Sequence, residues 1–234
     1  MPPPPEERPL LVLLPGMDGT GRMFGPFLAA LPEVDTQVVR YPEALVSYAA
    51  CTHFARTQLP KDRPYLLLGE SFSGPVALAL AAESPSGLKG LILCGTFARN
   101  PRPGLVWLMP LLRRLPPMRL PLGAIRLLLL GGWSTPPLMD LVRSMLPEVP
   151  GATLKGRLLS VGRVDHTSVL ARIRVPVLAL AASRDRLVPP SALRHLRAHL
   201  KGLDILTLQG PHWLLQARPD AAAQALRDFQ ARIG

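Results

Sequence analysis

Short, nearly all-apolar runs alternating with longer stretches of helical spacing constrain this chain more than any other feature. The runs are Leu10–Leu14, Thr36–Val39, Tyr65–Leu68, Leu88–Cys94, Val175–Ala181 and Leu203–Leu208. They are too short for helices and lack a polar alternation, the pattern of strands covered by helices on both faces. Between them, helices are predicted over Phe24–Leu31, Val46–Leu59, Ser73–Ala82, Pro190–Leu200 and Pro219–Arg232. Pro190 and Pro219 fall in a first helical turn, where a missing N–H leaves no bond unmade. The rhythm is that of βαβ units: an α/β fold with a doubly wound, mostly parallel sheet of about six strands.

One region breaks the rhythm. From Phe97 to Asp165 there is no strand-like run, only short Leu/Met/Arg stretches split by prolines, far longer than an ordinary crossover. This predicts a helical cap inserted after the fourth strand. The expected organisation is a disordered arm at 1–8, a core of 9–96 and 167–234, and a cap of 97–166. The apolar stretch Leu105–Trp133 is interrupted by prolines and arginines, so no run approaches the ~20 residues of a membrane span. Residues 1–7 lack the basic start and apolar stretch of a signal peptide, which leads to a cytoplasmic expectation. Cys51 and Cys94 stand alone in sequence, supporting free thiols rather than a disulfide framework or zinc site.

The net charge of +11 invites a nucleic-acid partner, but the cations are scattered and nearly all arginine. No nucleic-acid motif accompanies them, so biased composition is the simpler reading and no nucleic-acid partner is expected.

The chemistry concentrates in four loops. Leu66-Leu67-Leu68-Gly69-Glu70-Ser71-Phe72-Ser73-Gly74 is an apolar strand, a tight turn with a central serine, then a helix, the context of a nucleophile elbow. Ser73 occupies the place of the second glycine in G-x-S-x-G. It is the rival nucleophile, but its place in the first helical turn suits a cap better. Leu14-Pro15-Gly16-Met17-Asp18-Gly19-Thr20-Gly21 follows the first strand and fits neither a P-loop nor G-x-G-x-x-G. Such a loop can turn backbone N–H groups toward a developing negative charge. Asp185 and His212 each follow a later strand, on the sheet edge where Ser71 lies, in the order Ser…Asp…His. Asp165 is the alternative acid, at the end of the cap. His195 and His199 share one predicted helix face, His53 also lies in a helix, His166 precedes one, and Asp204 begins a strand at the opposite edge.

These residues resemble the α/β-hydrolase superfamily, over about Pro9–Phe97 and Arg174–Pro219. The pairing of the Leu14–Gly21 loop with Gly-Glu-Ser-Phe-Ser-Gly is further similar to a branch containing bacterial esterase-like proteins and plant phytyl ester synthases. The family's usual initial hairpin has no counterpart before the first strand. The resemblance implies that Ser71 attacks an acyl carbonyl, that His212 moves its proton and that Asp185 orients the imidazole. It also implies an oxyanion hole from the N–H groups of Met17 and Phe72, with no metal or cofactor. The expected substrate is a small-molecule ester or thioester with an apolar acyl group, with Trp107, Trp133 and Trp213 as candidate binding residues. The same apolar residues would equally serve as the cap's own core. Arginines in the cap are compatible with an anionic acyl carrier protein or coenzyme A. Three rivals remain: an acyltransferase to an alcohol, a non-catalytic binding protein on the same fold, and a protein resting on a membrane surface without stable insertion.

Overall fold

The computed structural model describes residues 9–117 and 121–233. The expected arm at 1–8 lies outside the described residues, as do residues 118–120 of the expected cap. The strands are β1 (Leu10–Leu14), β2 (Thr36–Val38), β3 (Tyr65–Glu70), β4 (Leu88–Cys94), β5 (Val177–Ala182) and β6 (Leu203–Leu208). They form one six-stranded sheet in the order β2-β1-β3-β4-β5-β6, with every neighbouring pair parallel. The chain steps from β1 out to β2, then returns to β3 on the other side of β1. That reversal makes a crevice at the carboxyl ends of β1 and β3, where Leu14 and Gly69 lie in register.

The helices are α1 (Gly25–Ala29), α2 (Tyr48–Thr57), α3 (Gly74–Ala81), α4 (Met109–Arg114), α5 (Leu122–Ile125), α6 (Pro136–Met145), α7 (Gly151–Val161), α8 (Pro190–His199), α9 (Leu214–Ala217) and α10 (Pro219–Ile233). Alternate residues of β1 feed separate cores. Val12 and Leu14 pack with Val76 of α3, Cys51 of α2 and Leu196 of α8. Leu11 and Leu13 pack with Phe27 of α1 and with Leu226 and Phe229 of α10. A third cluster joins Ile125, Leu138, Val142 and Met145, from the helices between β4 and β5, to Met23 and Trp213.

Three differences from the sequence expectation have physical causes. β2 and β6 are edge strands, so their residues are partly exposed rather than covered on both faces. β5 begins at Val177 instead of Val175; Pro176 has no N–H to give, though its carbonyl accepts from Leu91 N at 3.0 Å. β3 runs on through Gly69 and Glu70, and glycine is required there because a Cβ would stand 2.7 Å from the Ala77 Cβ. Cys51 and Cys94 are buried and unbridged. Among the described residues no helix is long and apolar enough to cross a membrane.

Candidate active site

Ser71 leaves β3 with φ of 48°, in the left-handed region that non-glycine residues avoid. Such a conformation persists only where neighbours over-determine it. Here the Ser71 carbonyl accepts from Thr96 Oγ1, and Gly74 packs so tightly on Thr96 that a side chain there would collide with it. Ser73, the rival nucleophile, is fully buried and makes no capping bond to α3. Its hydroxyl donates to the Pro15 carbonyl and accepts from Tyr41 Oη at 3.0 Å, tying the elbow to the loop after β1.

Ser71, His212 and Asp185 come together from the carboxyl ends of β3, β6 and β5. Ser71 Oγ lies 2.9 Å from His212 Nε2, and His212 Nδ1 lies 2.7 Å from Asp185 Oδ2. The carboxylate draws the imidazole proton to Nδ1 and leaves the Nε2 lone pair facing the serine hydroxyl. Asp185 is itself fixed, its Oδ1 accepting from the Leu187 and Val188 N–H groups at 2.8 Å each. The histidine and aspartate side chains are only 2% and 7% exposed, so water barely competes for this pair.

The loop after β1 is built to hold a shape. Asp18 Oδ1 accepts from Thr20 N at 2.8 Å and Thr20 Oγ1 at 2.5 Å. Gly19 N donates to the Gly16 carbonyl at 3.1 Å. Two residues passed over in the sequence complete the surroundings. Glu70, immediately before Ser71, is buried against Gly16 of this loop and accepts from Gln216 Nε2 at 2.9 Å. Burial pushes its carboxyl up to about 7, and the Asp18 carboxylate adds to the rise; the Gln216 bond and the His212 charge pull the other way. Arg157, from α7, is 1% exposed and donates to the carbonyls of Met17 and Asp18. The signal for it was present in α7: Thr153, Gly156, Arg157 and Ser160 make a small and polar strip on one helix face.

Other candidates lie elsewhere. Asp165 spends Oδ1 on Thr167 N and Oγ1, and that bonding holds its carboxyl below the ordinary value. His166 Nδ1 donates to the Pro75 carbonyl at 2.9 Å. His195 meets Thr167 and His199, His53 is exposed on α2, and Asp204 pairs with Arg232 on the outside of β6.

Two apolar cavities meet at Ser71, and Met17, Leu187 and His212 line both. One, of 160 Å³, runs between Ile125, Leu129, Met145, Val149, Leu154 and Trp213. The other, of 200 Å³, runs between Phe97, Leu105, Met109, Leu158 and Val161 and also meets Asn100 and Arg102. Of the three candidate tryptophans, only Trp213 reaches these cavities. Trp107 points away, 74% exposed, because the Pro103–Leu108 turn that carries it buries none of its residues. Trp133 lines a separate depression beside Arg184 and Arg186, because Gly131 at φ of 55° turns the chain away after Leu130.

No family model matches the chain. It is 30% identical over 188 residues to a pimeloyl-[acyl-carrier protein] methyl ester esterase of Neisseria meningitidis, covering 72% of this chain and 70% of that one. It is 28% identical to the chloroplastic phytyl ester synthase 1 of Arabidopsis thaliana, covering 80% of this chain but spanning only 31% of that protein. A crystal structure of a hydrolase from Pseudomonas aeruginosa superposes with a TM-score of 0.79 over 95% of this chain and 90% of its own, at 24% identity, a likeness of fold. With the parallel sheet and these relatives together, the chain belongs to the α/β-hydrolase esterases, the family that includes the pimeloyl-[acyl-carrier protein] methyl ester esterases.

Proposed function

We propose that this enzyme cleaves a carboxylic ester or thioester with an apolar acyl group, through an acyl-enzyme on Ser71. The reading rests on the continuous hydrogen-bonded series Ser71–His212–Asp185 at the junction of two apolar cavities. Ser71 Oγ adds to the substrate carbonyl carbon while its proton passes to His212 Nε2, and Asp185 stabilises the imidazolium. The N–H groups of Met17 and Phe72 receive the negative oxygen of the tetrahedral intermediate. Collapse breaks the bond to the leaving alcohol or thiol, which takes the proton from His212. Water then adds to the acyl-enzyme by the same route in reverse and releases a carboxylic acid.

The helices between β4 and β5 act as a cap that sizes the substrate. The cavity bounded by Met145, Val149 and Trp213 takes the acyl chain. The second cavity, edged by Asn100 and Arg102 and by Leu105 at 45% exposure, leads outward and takes the leaving group. Its apolar lining also supports a second reading, transfer of the acyl group to an alcohol held there. By likeness to the N. meningitidis relative, a carrier-linked acyl ester is one substrate to try.

The test is fluorophosphonate labelling of the wild type, Ser71→Ala and Ser73→Ala, then a p-nitrophenyl ester series with and without a long-chain alcohol. Labelling lost only in Ser71→Ala supports the reading, and ester product in the alcohol arm selects acyl transfer. A folded wild type that resists the probe, or labelling that survives Ser71→Ala, overturns it.

A further inference from the structure

Helix α7 meets the body of the protein along one strip. Thr153, Gly156, Arg157 and Ser160 recur at i, i+3, i+4 and i+7 and share a face. Thr153 Oγ1 donates to the Glu43 carbonyl at 3.0 Å and Ser160 Oγ to the Val46 carbonyl at 2.7 Å. Gly156 lies so near Val46 that a Cβ would stand 2.8 Å from the valine Cβ. The strip seats α7 on the segment after β2 and carries the Arg157 guanidinium into the interior.

There the guanidinium donates its hydrogen bonds to backbone carbonyls. Nη1 donates to Met17 and Asp18 at 2.9 Å each, Nε to Leu45 at 3.0 Å and Nη2 to Pro42 at 3.3 Å. Its carbon sits 5.9 Å from the centre of the Phe72 ring and 5.7 Å from that of Tyr41. Among the described residues no carboxylate forms an ion pair with it, although Asp18 and Glu43 favour its charge from farther away. Burying a cation this way is unfavourable compared with an apolar side chain of the same size, so packing alone does not account for it. A planar fork that fixes several acceptors at once does.

The acceptors are those that set the oxyanion loop. The bond from Gly19 N to the Gly16 carbonyl fixes the Gly16–Met17 peptide, and a trans peptide sends the Met17 N–H the opposite way. The next two carbonyls, of Met17 and Asp18, share Nη1 of Arg157. The same guanidinium packs on the side chain of Phe72, whose N–H opens the turn after Ser71.

We propose that Arg157 is a positioning residue for ester cleavage, holding the Gly16–Gly19 turn and Phe72 so that both backbone donors are aligned only while α7 is docked. The proposal rests on the assignment of Ser71 and of those two donors. It makes the oxyanion hole a property of two parts of the chain, the sheet edge and the helix between β4 and β5.

The test compares kcat and KM of the wild type, Arg157→Ala and Arg157→Lys on one p-nitrophenyl ester, with melting temperature measured alongside. Arg157→Ala is expected to lower kcat on the order of 10²-fold with KM changed less than about threefold, since a misaligned donor acts on the transition state. Added guanidinium ion is expected to raise the kcat of Arg157→Ala by refilling the site with the same planar set of donors. A folded Arg157→Ala with wild-type kcat, or guanidinium that raises the melting temperature without raising kcat, overturns the proposal. If Arg157→Ala does not fold, Arg157→Lys decides. It keeps the charge but not the fork, and is expected to bind a trifluoromethyl ketone more weakly while binding the unreactive alcohol analogue as the wild type does. Wild-type affinity for the ketone in Arg157→Lys sinks it. Ser71→Ala separates the two ideas: activity surviving there overturns the nucleophile, whereas activity lost there but kept in the Arg157 variants overturns only the positioning role.

Discussion

The loops at the carboxyl edge of the sheet and the helices between β4 and β5 are held by different means. Around Ser71 nearly every polar atom has a fixed partner: Thr96 on its carbonyl, His212 on its hydroxyl, and two backbone N–H groups on the far oxygen of Asp185. The central strands β1, β3 and β4 are almost wholly excluded from water. The helical region has a small cluster of its own and leaves Val106, Trp107, Leu111 and Leu127 exposed. It is joined to the loops through a few bonds, among them Arg157 to Met17, Trp213 N to the Leu129 carbonyl at 3.0 Å, and Arg22 to Glu148. The reactive geometry is thus built into the rigid half, and the cavity walls into the looser one. Arg157 apart, substitutions in the second half should alter what is cleaved before they alter how.

The sharpest break of that contrast is Asp185→Asn. The amide still accepts from Leu187 and Val188 but presents an N–H to His212, favouring the wrong tautomer. We expect kcat to fall on the order of 10³–10⁴-fold for every ester, whatever its chain length. A loss under tenfold would remove Asp185 from the proposed relay.

A smaller effect should separate the two cavities. Leu154→Trp narrows the first and should penalise long acyl chains about 10–100-fold while sparing acetate. Leu158→Trp narrows the second and should instead penalise long alcohol groups. Matched chain-length series on both variants are the check, and identical profiles would erase the distinction between the arms.

The smallest effect concerns the rigid half. Because the fold raises the Glu70 carboxyl from 4.5 to about 7, the native state holds that proton more tightly than the unfolded chain does. Its contribution to stability is therefore full below pH 4.5 and is lost as pH rises through about 7. Glu70→Gln should stabilise the protein by about 1–2 kcal/mol at pH 8 and by nothing measurable near pH 4.5. Denaturant midpoints at both values test this, and a gain that does not change with pH would contradict it.

What the sequence revealed follows the same division. β1, β3 and β4 are buried on both faces, so their apolar runs stand out; Ser71 attracts notice by following such a run, and Asp185 and His212 by following the apolar runs of β5 and β6. The last residues of β3 were missed because Gly69 and Glu70 are there for close packing and for the elbow rather than for apolar burial. Between Pro103 and Ile125 the helical segments are too short to show a clear period, so nothing in the pattern marked Trp107 as outward. Arg157 was hidden in a different way. In a chain so rich in arginine, a buried one is set apart from its solvated neighbours only by the small and polar residues, Thr153, Gly156 and Ser160, that share its helix face.

Asp204 takes no part in the site, yet its place on the open edge has a consequence for the protein in concentrated solution. β6 is six residues long, bonded on one side only, and carries Leu206 at 39% exposure. An edge of that kind is a template on which another chain can add a strand. Asp204, paired with Arg232 and left mostly exposed, sets a charge on that strand and works against edge-to-edge aggregation.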